Sequence, residues 1–207
     1  PAERKEDADL VLYNTCCVRE NAENRALGNV IWLKELKKQK PELLICVGGC
    51  MMQEAGVADR LKANYPFIDL IFGTHNLHLL NDMVLAAERG ERKSETSFID
   101  NEQRLDLFPP IRGTTRTSSF VTVMQGCDNY CSYCIVPYVR GPEISRRSED
   151  ILREVRQLAE QGVREVALLG QNVNSYGLKS SVEPSFAELI RQVAAVDGIR
   201  RIRFFTS

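Results

Sequence analysis

The amino-acid sequence predicts an α/β fold in two parts, an N-terminal doubly wound parallel sheet followed by the first part of a second domain of alternating strands and helices. Short apolar runs alternate with amphipathic helical patterns along most of the 207 residues. The alternation lapses once, between about residues 88 and 119. Apolar strands separated by helices indicate a buried parallel sheet with right-handed crossovers.

Three strand and helix pairs make up the first predicted domain, residues 1–88. The predicted strands span 9–13, 43–48 and 68–73, and the predicted helices span 20–38, 53–65 and 76–87. Trp32 is expected to anchor the core from the first helix. His75 and His78 are expected to be capping or surface residues rather than metal ligands.

Residues 89–118 are predicted to form a linker between the domains. A charged stretch at 88–95, the pair Pro109 and Pro110, and a polar run at 113–119 interrupt the periodicity. The linker is expected to contain a strand or two of its own.

The second predicted domain spans residues 119–207, with strands at 120–124, 165–169 and 200–205 and helices at 148–161 and 185–195. A closed (β/α) barrel needs about eight strands. We therefore expect the sequence to be a fragment that ends inside this domain, and we expect a strand before Pro1 to be missing from the first domain.

The composition favours a cytoplasmic protein with thiolate or metal chemistry. No apolar run of about 18 residues and no secretory signal is found in the sequence, so neither a membrane span nor export is expected. Seven cysteines in a reducing compartment favour metal binding over disulfides. The formal net charge of -1 provides no overall positive field, so any RNA contact must be local.

Three cysteines form a CxxxCxxC triplet, namely Cys127, Cys131 and Cys134. Three thiolates can hold three irons of a 4Fe-4S cluster and leave the fourth iron open, whereas electron-transfer clusters are closed by four cysteines. Zinc is the alternative, but zinc generally takes four ligands in paired spacings, and no partner pair with that spacing is present. The spacing, with Tyr133 before the last cysteine, resembles the radical S-adenosylmethionine superfamily. This resemblance implies that the open iron chelates the amine and carboxylate of S-adenosylmethionine.

A second group of cysteines is expected at the carboxyl ends of the first two strands. Cys16 and Cys17 follow the first strand and Cys50 follows the second. Parallel strands end at the same edge of a sheet, so the two loops should open on that edge. Cys46 lies within the second strand and is expected to be a small buried apolar residue.

Four stretches of the sequence are distinctive when taken together, namely NTCCVRENAE at 14–23, GCMMQ at 49–53, GCDNYCSYCIVPYVRG at 126–141 and LGQNVNSYG at 169–177. In this order they resemble one family, the tRNA methylthiotransferases that modify isopentenyl-adenosine beside the anticodon. The resemblance implies an N-terminal methylthiotransferase domain followed by the first part of a radical S-adenosylmethionine partial barrel. Related enzymes that modify a ribosomal-protein aspartate or threonylcarbamoyl-adenosine in tRNA are the alternatives within the same chemistry.

The resemblance also implies two 4Fe-4S clusters and S-adenosyl-L-methionine as cofactors. The triplet would hold the first cluster. Cys16 and Cys50 match two of the three ligands of an auxiliary cluster, and the third family cysteine lies in an upstream segment that this sequence lacks. Cys17 is expected to be a spare thiol.

Further site residues and partners follow from the same resemblance. Expected cofactor contacts are Tyr133, Gln171, Asn172 and Asn174. Arg140 and Arg146 are expected to contact the cofactor carboxylate or tRNA phosphates. Arg19 is an expected substrate contact, with a role at the start of the first helix as the alternative. For the three amides, turn formation is the alternative role. The expected partners are tRNA carrying isopentenyl-adenosine and a reductant protein such as flavodoxin or ferredoxin. We expect the fragment itself to be inactive, since the family carries a further RNA-binding domain.

Two further alternatives concern the kind of protein. An iron-sulfur electron-transfer or RNA-binding module would have no catalytic role, although an electron carrier should close its cluster with a fourth protein ligand. A radical enzyme acting on a small molecule would not need Cys16 or Cys50.

Overall fold

The computed structural model describes residues 2–17, 20–99 and 117–206. The chain forms two compact units. The first consists of Pro1–Ile99 together with Cys131–Arg140, and the second consists of Asp100–Tyr130 together with Gly141–Ser207. This division differs from the predicted domains, because the ten residues Cys131–Arg140, which include two cysteines of the CxxxCxxC triplet, belong to the first unit.

The first unit is built on a four-stranded parallel sheet in the order β1-β2-β3-β4. Its strands are β1 (Leu10–Thr15), β2 (Leu44–Gly49), β3 (Leu70–Phe72) and β4 (Lys93–Glu95). Its helices are α1 (Glu20–Gln39), α2 (Val57–Asn64), α3 (Leu80–Glu88) and the short α4 (Val136–Arg140). Strand β4 lies within the predicted linker and extends the sheet beyond the predicted domain boundary.

Helices cover both faces of this sheet. Side chains of a strand alternate between faces, and Ile45 and Val47 of β2 pack with α1 and α2, whereas Cys46 packs with α3. The doubly wound arrangement is therefore confirmed. Cys46 is fully buried, as expected.

Trp32 corrects one prediction. Its side chain is 50% exposed, and the Lys5 ammonium lies 3.4 Å from its ring centroid. Among the residues of α1 whose burial is described, Val30, Leu33 and Leu36 are buried. Position 32 falls outside this three-residue repeat, so the indole lies on the outer side of the helix.

The second unit contains a three-stranded parallel sheet in the order β5-β8-β9 and an antiparallel pair β6-β7. The strands are β5 (Ser118–Thr122), β6 (Met124–Gln125), β7 (Ile144–Ser145), β8 (Glu165–Leu169) and β9 (Arg201–Phe204), and the helices are α5 (Ser148–Glu160) and α6 (Phe186–Ala194). Apolar side chains spaced along α5 bury themselves against the sheet, among them Ile151, Val155 and Leu158. The three strands of the parallel sheet and the two helices match the predicted elements, and no end differs from its predicted position by more than two residues.

None of the helices in the described ranges is both long and apolar enough to cross a membrane.

Candidate metal centre

The carboxyl edge of the first sheet brings two cysteine-bearing loops together. Thr15 and Gly49 are the last paired residues of β1 and β2, and Cys16 and Cys50 follow them directly. The prediction that both loops open on one edge is confirmed. Cys16 is exposed, whereas Cys17 and Cys50 are buried.

Gly49 shapes the backbone just before Cys50. Its φ is +104°, a conformation that side-chain-bearing residues rarely adopt. A Cβ atom at this position would lie 2.3 Å from the Thr15 carbonyl oxygen. The Thr15 hydroxyl also donates a hydrogen bond of 2.7 Å to the Gly48 carbonyl. Only glycine therefore allows the chain to leave β2 in the direction that places Cys50 at the edge.

Cys17 lies close to both neighbouring thiols. Burial is the main cause that raises the pKa of Cys17 to about 12, followed by the nearby Cys50 and Cys16, with smaller effects of Glu23 and Glu54. Across the described part of the chain, however, no group of three or more histidine, cysteine or acidic side chains is arranged to hold a metal ion. The first unit thus supplies neighbouring sulfur donors without a closed ligand set.

Arg140 contacts this group of cysteines. Its Nε atom donates a hydrogen bond of 3.4 Å to Cys50 Sγ. The sequence predicted that Arg140 contacts the cofactor carboxylate or tRNA, and the contact to Cys50 was missed. No spacing rule relates residues that are 90 positions apart.

Thr74 and His75 hold the backbone around Arg140. Thr74 Oγ1 donates to the Val139 carbonyl at 3.1 Å, and His75 Nε2 lies 3.2 Å from the Arg140 carbonyl. His75 is 3% exposed, which corrects the expectation of a surface residue, whereas His78 is exposed. His75 does contact the end of a helix, as a capping residue would, but this helix is α4, which lies 65 residues away in the sequence.

The CxxxCxxC triplet is divided between the two units. In the first unit, Cys131 is exposed and Cys134 is half-buried, and a turn joins them through a 2.9 Å bond from Cys134 N to the Cys131 carbonyl. In the second unit, Cys127 is buried and its N–H donates to the Gly141 carbonyl at 3.3 Å. Tyr133, which precedes Cys134, is 91% exposed.

The three predicted amide contacts lie in the loop after β8. Gln171 and Asn172 are half-buried and Asn174 is exposed. The Asn172 carbonyl accepts bonds from the backbone N–H and hydroxyl of Ser175 at 3.1 and 2.8 Å. The backbone of Asn172 therefore forms the turn that was the alternative role, while the amide side chains remain candidates for ligand contacts.

A cavity of about 860 Å³ lies in the second unit. Charged residues of both signs line it, including Asp128, Glu143, Glu183, Arg147 and Lys179. The predicted amide contacts are not among its lining residues.

The side chain of Arg146 is buried and paired. Its guanidinium forms an ion pair with Glu154 and donates to the Thr122 carbonyl at 3.2 Å. Buried charges in proteins are paired, and the contact of Arg146 to the cofactor carboxylate or to tRNA stays a prediction. Arg19 lies outside the described residues.

Two family models match the chain in separate stretches. Residues 1–73 match "Uncharacterized protein family UPF0004", and residues 121–207 match the "Radical SAM superfamily". The second match agrees with the predicted resemblance of this part of the chain to the radical S-adenosylmethionine superfamily.

Curated relatives match the sequence over nearly its whole length. A protein from Pelobacter propionicus named tRNA-2-methylthio-N(6)-dimethylallyladenosine synthase is 74% identical over 207 residues, which are 100% of this chain and 47% of that protein. Proteins of the same name from Trichlorobacter lovleyi and Geobacter sulfurreducens are 62% and 59% identical over 99% and 100% of this chain, and each match covers 46% of the relative. The chain thus spans about half the length of these relatives.

Solved structures share the fold at low sequence identity. The radical S-adenosylmethionine methyltransferase TsrM from Kitasatospora setae, with tryptophan and a cofactor analogue bound, has a TM-score of 0.58 at 13% identity, covering 88% of this chain and 39% of that one. Its form with cobalamin and a [4Fe-4S] cluster has a TM-score of 0.57 at 14% identity, covering 88% and 40%. At this identity the likeness concerns the fold alone.

Proposed function

We propose that the chain belongs to the family of the tRNA-2-methylthio-N(6)-dimethylallyladenosine synthases, because relatives of that name match it along nearly its whole length, and that the protein containing it attaches a methylthio group to carbon 2 of isopentenyl-adenosine beside the tRNA anticodon. The observation that carries this proposal is the high identity to synthases of that name along the whole chain. This resemblance favours the tRNA enzyme over the ribosomal-protein and threonylcarbamoyl-adenosine alternatives, and over a passive iron-sulfur or RNA-binding module.

The thiols of the chain are the ligand type that the iron-sulfur clusters of this function require. All seven cysteines are free, and cysteine thiolates are the ordinary ligands of 4Fe-4S clusters. We assign Cys127, Cys131 and Cys134 to the cluster that binds S-adenosyl-L-methionine. Cys16 and Cys50 would contribute to the auxiliary cluster, because they follow neighbouring strand ends.

The bound cofactors would supply the radical and sulfur chemistry that amino-acid side chains lack. Carbon 2 of adenine carries a hydrogen that no side-chain base removes at a useful rate. The protein's part is therefore to bind and to orient its ligands.

Several side chains are candidates for binding the cofactor or tRNA. The exposed Tyr133 ring is available to pack against the cofactor adenine, and the amides of Gln171, Asn172 and Asn174 can donate and accept hydrogen bonds at the carboxyl end of β8. Arg19 remains a candidate contact for tRNA phosphates, since arginine binds phosphate bidentately.

The proposal includes two partners and a compartment. The substrate is tRNA that already carries isopentenyl-adenosine, and an electron donor such as flavodoxin or ferredoxin would reduce the cluster. The cytoplasm contains tRNA and keeps cysteines reduced.

The test uses a full-length protein that contains this chain. After anaerobic cluster reconstitution, the protein is incubated with S-adenosylmethionine, a reductant and tRNA carrying isopentenyl-adenosine, and methylthio nucleosides are measured by mass spectrometry. We expect product from the wild type and none from Cys127→Ala, Cys131→Ala or Cys134→Ala.

Cys46→Ala is the matched control, because it removes a thiol that is buried in a different apolar cluster from Cys50. This control should retain the product. A wild type that holds both clusters but leaves this tRNA unmodified would refute the assignment. Modification of a ribosomal-protein aspartate instead would favour the related enzyme.

A further inference from the structure

The segment Cys131–Arg140 is packed as part of the first unit. Val139 is 2% exposed and belongs to the same apolar cluster as Cys17, Cys50 and Met51. Burial of an apolar side chain stabilises the packed arrangement. The packing of Val139 therefore holds α4 against the short 3₁₀ helix Cys50–Gln53.

Two side chains fix the carboxyl end of α4. The Thr74 hydroxyl donates to the Val139 carbonyl, and His75 reaches the Arg140 carbonyl. The backbone N–H of Ile99 lies 3.4 Å from His75 Nδ1. Because a backbone N–H can only donate, Nδ1 accepts, and in the neutral ring Nε2 then carries the hydrogen that is donated to Arg140.

This anchoring directs the Arg140 side chain to a sulfur atom. Its Nε lies 3.4 Å from Cys50 Sγ, and Cys50 is only 5% exposed. An arginine is charged at all ordinary pH values and carries rigid N–H donors. A fixed, charged donor thus points at the sulfur that we assign to the auxiliary cluster.

We propose that Arg140 is a positioning residue that orients Cys50 for the auxiliary cluster and raises that cluster's reduction potential through its hydrogen bond to the sulfur. The inference rests on the proposed function, because it needs a cluster at Cys50. Hydrogen bonds to ligand sulfurs set cluster potentials, and partners that orient metal ligands typically contribute about 10- to 100-fold in metal affinity. The same segment begins with Cys131, so one anchored stretch carries ligands of one proposed cluster and the orienting donor of the other.

The experiment isolates the auxiliary cluster in the full-length protein. A Cys127→Ala, Cys131→Ala, Cys134→Ala background removes the other proposed cluster. Arg140→Gln and Arg140→Lys are introduced into this background, and Arg191→Gln removes an exposed guanidinium of α6 as the charge-matched control. Iron per chain and the midpoint potential by electron paramagnetic resonance are measured after anaerobic reconstitution, with a thermal melt of each variant.

We expect Arg140→Gln to lower iron affinity by about 10- to 100-fold and to shift the midpoint potential of the remaining cluster to more negative values. Arg140→Lys should retain part of both properties, since it keeps a charged N–H donor, and Arg191→Gln should match the background. If Arg140→Gln melts early, Thr74→Val provides the second variant, because it loosens α4 while keeping the guanidinium. Thr74→Val should then shift the potential in the same direction.

The outcomes separate the inference from the proposed function. Unchanged iron content and potential in Arg140→Gln would overturn the role of Arg140 while leaving the function intact. A background protein that binds no cluster through Cys50 would overturn both.

Discussion

The guanidinium of Arg146 and the carboxylate of Glu154 form an ion pair in which both side chains are buried. Arg146 precedes α5 and Glu154 lies within it, so the pair joins the strand β7 region to the helix that covers the second sheet. Tyr176, which is also buried, donates a 2.7 Å hydrogen bond to the Arg146 carbonyl. Arg146 is therefore held by both its side chain and its backbone.

Removing Glu154 should strongly destabilise the second unit. Glu154→Ala leaves the Arg146 charge buried without its partner, which costs about 3–5 kcal/mol. Urea unfolding of the chain measures this loss. Replacing both residues, in Arg146→Met with Glu154→Leu, should recover most of the stability, because no unpaired charge remains.

The control for this prediction is Glu188→Ala in α6. Glu188 forms an exposed ion pair with Arg191 at 2.9 Å, and exposed pairs contribute about 0–1 kcal/mol. Equal losses in Glu154→Ala and Glu188→Ala would contradict the structural role of the buried pair.

Glycine substitutions should separate backbone strain from helix propensity. Gly49→Ala places a Cβ atom against the Thr15 carbonyl in a backbone conformation of positive φ, and we expect a loss of at least about 1–3 kcal/mol. Gly28→Ala is the matched change, because Gly28 lies in α1 with no atom within 4 Å of the added Cβ. There we expect a gain of about 0.5–1 kcal/mol. Thermal melts of the two variants should move in opposite directions, and a shift of the same sign in both would refute the argument.

Cys46 should make the stability of the first unit depend on pH in the alkaline range. Burial, followed by the nearby Asp69 carboxylate, raises the pKa of the Cys46 thiol from 9.0 to about 12. Below pH 8 the thiol is protonated in both the folded and the unfolded chain. Between pH 9 and about 12 only the unfolded chain releases the proton, so the free energy of unfolding falls as the pH rises.

The measurement compares wild type and Cys46→Ala in cluster-free, reduced protein. Between pH 8 and pH 10, the free energy of unfolding of the wild type should fall by about 1.4 kcal/mol more than that of the variant. This amount corresponds to the release of one proton over the one pH unit that lies above the pKa of 9.0 of the thiol in the unfolded chain. Parallel pH profiles of the two proteins would show that the folded Cys46 thiol ionises normally.

Most of the secondary structure could be predicted because it follows local periodicity. The apolar run at 165–169 coincides with β8, and the predicted helix at 148–161 ends one residue beyond α5. Strand β4 was placed in the linker because Lys93–Glu95 has no apolar pattern. It becomes a strand only through its pairing with β3, which a local pattern does not reveal.

The candidate site was predictable where it depends on strand ends and not where it depends on contacts distant in sequence. Thr15 and Gly49 end paired strands, so the approach of the Cys16 and Cys50 loops followed from topology. Arg140, Arg146 and His75 contact partners that no motif specifies, namely Cys50, Glu154 and the Arg140 carbonyl, respectively. From sequence alone, an arginine beside a cysteine motif resembles a residue that binds phosphate. The burial of its side chain and the identity of its partner show which contacts it makes within the protein.

Because Cys131–Arg140 belongs to the first unit, no single cut in the chain separates the two units. A shortened chain that ends at residue 99 would lack Val139 and would open a gap beside Met51 and Cys50. A shortened chain that begins at residue 121 would carry that same apolar segment without its binding surface. Domain exchange between relatives at the boundary that the family models suggest should therefore lower solubility, unless the segment 131–140 and the sheet that receives it are transferred together.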